Sequence, residues 1–490
     1  MAMSEYCVGG GGGGGGEGGK EFTVTVKKVE VVAAALPMQD HWLPLSNLDL
    51  LLPPVDVGVF FCYKNPTTTR STTTSSGGGS GFASMVATLK KGLAQALVSY
   101  YALAGEVVSN SVGEPELLCN NHGVEFVEAF AGVELQQLNL YNPDETIEGK
   151  FVPHKKHGVL AIQATELKCG GWPTLSLLTP PIGCPLLLRR DNHRHVSDDQ
   201  CSTSRRPGSI PPSLNDMYIP VSMLPPPKQP QETQSDSKPE PESDHLISRI
   251  YYVTADQINK IQSLANSNSN NTVNKRTKLE SFSAFLWQLV AKSAISESNH
   301  YYHKNGKKPI ARMGMVVDGR TRLKNKSNKE LMDNYFGNVL SIPFGEMSAE
   351  ELTEKPLSWV ADEVHEFLEE VVTEEHFLGL IDWVEAHRPV LGVAKVYAKG
   401  SVDGPGFVVS SGQRFPESKV DFGWGRPIFG SYHFPWGGDS GYVMPMGSPA
   451  GNGDWVVYMH LWKGQLAVIE KEAPHVFRPL TWDYLKTCHN

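Results

Sequence analysis

From residue 211 to 245 the chain loses the means to bury a core, and this divides everything else. Pro211-Pro212 and Pro225-Pro226-Pro227 lead into a run of Gln, Ser, Lys, Pro and Glu, a composition too polar to offset the entropy of ordering. The flanking segments read differently. Phe22, Val24 and Val26 alternate with polar residues in Glu21 to Ala35, a strand signal broken by Pro37. His41 to Asp49 reads as irregular, and Val55 to Tyr63 as a second strand. Residues 64 to 81 are Thr, Ser and Gly, a loop. Val86, Leu89, Leu93, Ala96, Tyr100 and Leu103 recur at helical spacing, with Ser84 able to cap the start and Gly105 the end. Gly158 to Gly171 is another strand candidate.

Beyond the linker, Thr277-Lys278-Leu279-Glu280 has the form of a capping box. Leu279, Phe282, Phe285, Leu286, Leu289 and Val290 then line one helical face. Trp455 to Glu470 reads as two strands about a Lys463-Gly464 turn. Mixed strands and helices on both sides of the linker predict an α/β protein. Its expected parts are a Gly-rich disordered tail over 1–20, a first domain over 21–210, the crossover linker 211–245 and a second domain over 246–490.

A net charge of -9 argues against nucleic acid as a partner. No apolar run approaches 18 residues, so no membrane span is expected, and the N-terminus lacks a signal-peptide pattern. Seven cysteines without a CxxC suit a reduced cytosol better than disulfides or zinc. The expectation is a cytoplasmic protein, and with no heptad seam, a monomer.

Asp421-Phe422-Gly423-Trp424-Gly425 is a poor strand and a poor helix. Its glycines and aromatics describe a shaped, packed turn. This DFGWG resembles the C-terminal signature of the plant BAHD acyltransferases, which carry an acyl group from coenzyme A to an alcohol or amine. HWLPLSNLDLLLPPVDVGVFFCYK from His41, YYALAGEVV from Tyr100, ATELKCGG from Ala164 and RRPGSIPPSLNDMYIP from Arg205 agree with that family. So do LESFSAFLW from Leu279, VDGRTR from Val317 and YFGNVL from Tyr335. The likeness runs from 21 to 490 and is similar in wording to coniferyl alcohol acyltransferases and shikimate hydroxycinnamoyltransferase-like proteins. It implies two chloramphenicol-acetyltransferase-like domains, each a mixed β-sheet with flanking helices, and an active-site channel between them. Acyl-CoA would be a co-substrate, and no cofactor or metal is implied. The implied acceptor is a phenylpropanoid alcohol such as coniferyl alcohol. Shikimate or quinate is the first alternative, and a non-catalytic acyl-CoA binder or the inactive product of a damaged gene the second.

Acyl transfer from a thioester needs a base for the acceptor hydroxyl, worth roughly 10²–10⁴-fold, and a donor for the tetrahedral oxyanion, worth roughly 10²–10³-fold. The resemblance places the base in an HxxxD motif shortly after KCGG, at the end of an apolar strand. Here Gly171 is followed instead by a stretch with Pro173, Pro180, Pro181 and Pro185, and proline is excluded from central strands. The sole HxxxD is His195 to Asp199, hard against RRPGS. Three readings stay open: His195 is a displaced base steadied by Asp199, residues 172–204 are a locally shifted reading frame or splice junction, or the base is gone. His193 and His195 lack a third ligand for a metal.

The other implied roles follow the resemblance. Trp424 can aim its indole N–H at the intermediate, or be architectural together with Gly423 and Gly425. Asp421 is expected to pair with a buried arginine, Arg320 or Arg322, which could equally meet CoA phosphate. Lys275, Arg276 and Lys278 precede a helix start, where anions are favoured. Ser281 and Ser283 would face the pantetheine, and His41 and Trp42 would border the acceptor channel.

Overall fold

The computed structural model describes residues 22–52, 56–63, 81–152, 155, 157–168, 213–223, 244–267, 275–295, 308–324, 332, 335, 337–398, 404–413, 420–434 and 438–488, with the backbone alone over 174–179. The tail 1–20, His195 and Asp199 lie outside the described residues.

Six strands make the first sheet, in the order Val24–Val32, Val124–Ala131, Ala161–Leu167, Thr174–Thr179, Val57–Tyr63, Pro427–His433. Val57–Tyr63 is buried at every position, as an unbroken apolar run should be when both sheet faces are covered. The edge strand Val24–Val32 forms as expected, but its alternation does not hold: Thr25 to Val29 are all exposed, with a register shift between Val26 and Lys28, and Val26 does not share the buried face of Phe22. Thr174–Thr179 corrects the expectation that the prolines keep 172–204 out of a central strand. Its six residues fall between Pro173 and Pro180, so the ladder needs no proline N–H.

The sixth strand comes from the far side of the linker. Pro427–His433 pairs antiparallel with Val57–Tyr63, matching Pro427 to Tyr63 and His433 to Gly58. A cut at the linker therefore separates by sequence what the sheet joins. The linker's opening also differs from its composition. Ser213–Met217 is helical and Tyr218–Pro220 is a short strand paired with Gly392–Ala394. Leu214 and Tyr218 are the reason: both are fully buried apolar anchors in an otherwise polar stretch.

Seven strands make the second sheet: Phe344–Ser348, Ile310–Met315, Gly406–Val409, Gly441–Gly447, Trp455–Trp462, Leu246–Val253, Arg478–Pro479. Helix Lys278–Ile295 packs on it, with Phe282, Leu286, Leu289 and Val290 buried as the spacing predicts. Its capping box is present: Thr277 N–H donates to Glu280 Oε2 at 2.6 Å, and Glu280 N–H to Thr277 Oγ1 at 3.2 Å. The hairpin expected over Trp455 to Glu470 is wrong. Trp455–Trp462 is a strand, but Lys463–Glu472 is a helix. Gln465 Oε1 accepts the Trp462 N–H, and Asp244 accepts the Gly464 N–H. Gly464 thus lies in a first helical turn, with its orphan donor satisfied from outside. Leu466 and Ile469 then bury the helical face.

Candidate functional site

The DFGWG turn is held by its own backbone. Asp421 Oδ1 accepts N–H bonds from Gly423 at 2.8 Å and Gly425 at 3.0 Å. Those bonds, then Arg426 nearby, hold this exposed carboxyl below the usual aspartate range. Gly423 and Gly425 have φ of +105° and +104°, a region that favours glycine. Among the described residues, neither expected arginine pairs with Asp421. Arg320 donates to Asp318 Oδ1 at 3.1 Å and to the Gly337 carbonyl, and Arg322 is exposed. A Cβ at Gly423 would meet nothing within 4 Å, so Gly423→Ala isolates backbone strain. It should destabilise by roughly 1–3 kcal/mol in urea unfolding; an unchanged midpoint would show that the turn tolerates another conformation.

Trp424 and Phe422 set their rings edge-on to Tyr63, with centroids 6.1 and 6.0 Å away. The Trp424 Nε1–H is buried with no acceptor among the described residues. It sits at the Tyr63 end of the shared strands. The chain leaves strand Thr174–Thr179 at the opposite end, where Thr179 pairs with Val57. Six steps of strand put these ends about 20 Å apart. The segment that follows Thr179 lies outside the described residues.

At the start of helix Lys278–Ile295, Lys275 and Lys278 are exposed. Arg276 Nε donates to Asp362 at 2.8 Å, while its buried Nη1 has no acceptor among the described residues. Burial would raise the Glu280 carboxyl, but bonds from Thr277 and His365 leave it lowered. Ser281 and Ser283 are fully buried. Ser281 Oγ donates back to the Thr277 carbonyl at 2.8 Å, the usual habit of a mid-helix serine, so this hydroxyl is already engaged. His41 packs on Tyr101 at 4.9 Å between ring centroids, and neighbouring Trp42 is 56% exposed.

Sequence reasoning missed a buried polar chain where the two sheets meet. His433 is wholly buried; its Nδ1 lies 2.8 Å from Glu148 Oε1 and its Nε2 lies 2.6 Å from Ser431 Oγ. A carboxylate only accepts, so Nδ1–H is the donor to Glu148. Across the seam, the Tyr458 hydroxyl accepts the Phe434 N–H at 3.2 Å and lies 3.2 Å from Ser248 Oγ. Ser248 Oγ is 3.0 Å from His460 Nδ1, and its backbone N–H donates to Asp144 Oδ2 at 2.6 Å. One signal was readable: Ser431 and His433 put two polar groups on the same face of an apolar strand.

A second buried set joins segments the resemblance quoted separately. Asp49 Oδ1 accepts two bonds from Asn338, at 2.8 and 2.9 Å, while burial pushes its carboxyl up. His376 Nε2 lies 2.8 Å from Ser341 Oγ, which is 3.0 Å from the Tyr218 hydroxyl. Burial pushes His376 down from 6.5 to about 4. The unfolded chain therefore binds the extra proton first. Stability is fully present above pH 6.5 and is lost as pH falls towards 4, by about 3 kcal/mol. Urea midpoints at pH 7 and 4.5 should show this loss, and His376→Gln should shrink it; an equal loss in the variant would assign it to other groups.

The sequence matches the Transferase family over residues 22–174 and 203–476. The chain belongs to this family, the BAHD acyltransferases. It is 25% identical to anthranilate N-benzoyltransferase protein 1 of Dianthus caryophyllus, over 92% of this chain and 99% of the relative. It is 27% identical to shikimate O-hydroxycinnamoyltransferase of Nicotiana tabacum, over 91% and 98%. The crystal structure of vinorine synthase aligns with a TM-score of 0.58 at 18% identity, covering 93% of this chain and 98% of that one. Such likeness establishes the two-domain, chloramphenicol-acetyltransferase-like fold. The BAHD match breaks after 174 and resumes at 203, the interval where the sequence departs from the HxxxD pattern. Among the described residues, no helix is long and apolar enough to cross a membrane, and no acidic, His or Cys cluster could hold a metal.

Proposed function

We propose that this BAHD acyltransferase scaffold moves an acetyl or hydroxycinnamoyl group from coenzyme A to a phenylpropanoid alcohol such as coniferyl alcohol, and that residues 175–202 as they stand interrupt its base. The observation carrying the reading is the family match on both sides of that interval and its failure within it. The donor class draws support from relatives named as a shikimate O-hydroxycinnamoyltransferase and an omega-hydroxypalmitate O-feruloyl transferase. An aromatic acceptor draws support from exposed Trp42 beside the His41–Tyr101 contact. The Nicotiana tabacum relative favours shikimate as a second reading. That acceptor carries a carboxylate and would want an arginine, but Arg320 is already bonded to Asp318 and Gly337.

Sequencing the transcript across codons 170 to 206 tests the interruption directly: an apolar strand leading into HxxxD supports it. For the protein as written, calorimetry should show free coenzyme A binding. Thiol release from acetyl-CoA should be faster with coniferyl alcohol than with shikimate, though slow with both. Absence of coenzyme A binding would sink the functional reading. A preference for shikimate would overturn only the acceptor.

A further inference from the structure

We infer that Tyr458, steadied through the Glu148–His433 pair, is a positioning residue that fixes the spacing of the two halves around acyl-CoA. This rests on the proposed function in one respect, that the thioester lies between the halves. The inference starts from burial. Tyr458 and His433 are both fully inaccessible, so neither is placed to touch a substrate. Each is instead held by a rigid element. Tyr458 lies mid-strand in Trp455–Trp462, paired with Ile250 on one side and Met444 on the other. His433 ends the strand Pro427–His433, opposite Gly58, and its imidazole is fixed at both nitrogens. The two rings meet edge to face, with centroids 5.6 Å apart.

The phenol hydroxyl is one of the places where the two sheets are bonded. It accepts the N–H of Phe434, the residue that follows the first sheet's last strand, and it lies beside Ser248 in the second sheet. Ser248 reaches back to the first half through Asp144. A hydroxyl has one donor and two acceptor positions, and this one takes a bond from beyond the first sheet's last strand while lying beside Ser248 in its own sheet. Buried networks with every member satisfied have one geometry, and losing a member leaves orphaned groups that can only be relieved by movement. Strand Thr174–Thr179, from which the chain passes to the segment assigned the base, pairs with the same strand that carries Gly58. The spacing set at Tyr458 is thereby passed to strand Thr174–Thr179.

The test uses the full chain and free coenzyme A as probe. Tyr458→Phe and His433→Gln are compared with Val86→Ala, a buried substitution in helix Gly81–Ser99. Coenzyme A affinity should fall about tenfold in the two seam variants, while Val86→Ala binds as the wild type does. Amide exchange should quicken across both 427–434 and 246–253 in the seam variants alone. Unchanged exchange in those peptides overturns the inference, even if the wild type fails to bind coenzyme A and the functional reading falls with it. Weakened binding shared by Val86→Ala also overturns it, because general destabilisation would then suffice.

Discussion

Exchanging residues 175–202 for the matching stretch of the Nicotiana tabacum relative should raise thiol release by about 10²–10⁴-fold over the chain as written. The size follows from what a positioned base does. A neutral alcohol attacks a thioester poorly, and a histidine near its ordinary pKa removes the proton as the bond forms. The scaffold on either side is intact: the strand Thr174–Thr179 is already seated between Ala161–Leu167 and Val57–Tyr63. It delivers the chain at its Thr179 end, beside Val57. The exchange therefore replaces five of that strand's six residues together with the segment that follows it. His195→Ala in the unexchanged protein should change little. If His195→Ala instead removes a turnover that the exchange cannot improve, His195 is the displaced base and the interruption is only apparent.

The same strand shows which parts of this fold can be read from sequence. The capping box at Thr277 and Glu280 spans three residues, so its chemistry is local and was legible. Val57–Tyr63 was legible because burial on both faces demands an unbroken apolar run. Its partner Pro427–His433 was not, since pairing across more than 360 positions leaves no local trace. The Glu148–His433 contact joins residues 285 apart and was invisible for that reason. Gly464 misled because glycine beside lysine suits a turn, and the Asp244 side chain that satisfies its N–H lies 220 residues away. Asp421 misled in the opposite sense. A distant arginine was expected, while the partners were amides two and four residues on.

The crossover segment is where the largest loss of stability is expected. Trp383→Ala should cost about 3–5 kcal/mol, the range for removing a buried indole. Trp383 is 1% exposed in helix Glu374–His387. Its ring stacks on His387 at 4.1 Å and tilts against Tyr218 at 5.8 Å, and its Nε1–H donates to Asn215 Oδ1 at 2.8 Å. Asn215 and Tyr218 belong to the opening of the linker, so one side chain fastens that crossover to the second half. Gly392 is packed so closely that an added Cβ would lie 2.6 Å from the indole. The wall around the ring is therefore backbone and aromatic, with little freedom to collapse into the space the indole leaves. Trp383→Phe keeps most of the apolar volume but drops the Asn215 bond, and should lose about 1–2 kcal/mol, mainly for the unmet amide oxygen. Urea unfolding of both variants, followed by far-ultraviolet circular dichroism, measures the two losses. Equal losses for Ala and Phe would mean that the hydrogen bond, rather than the packing, holds the crossover in place.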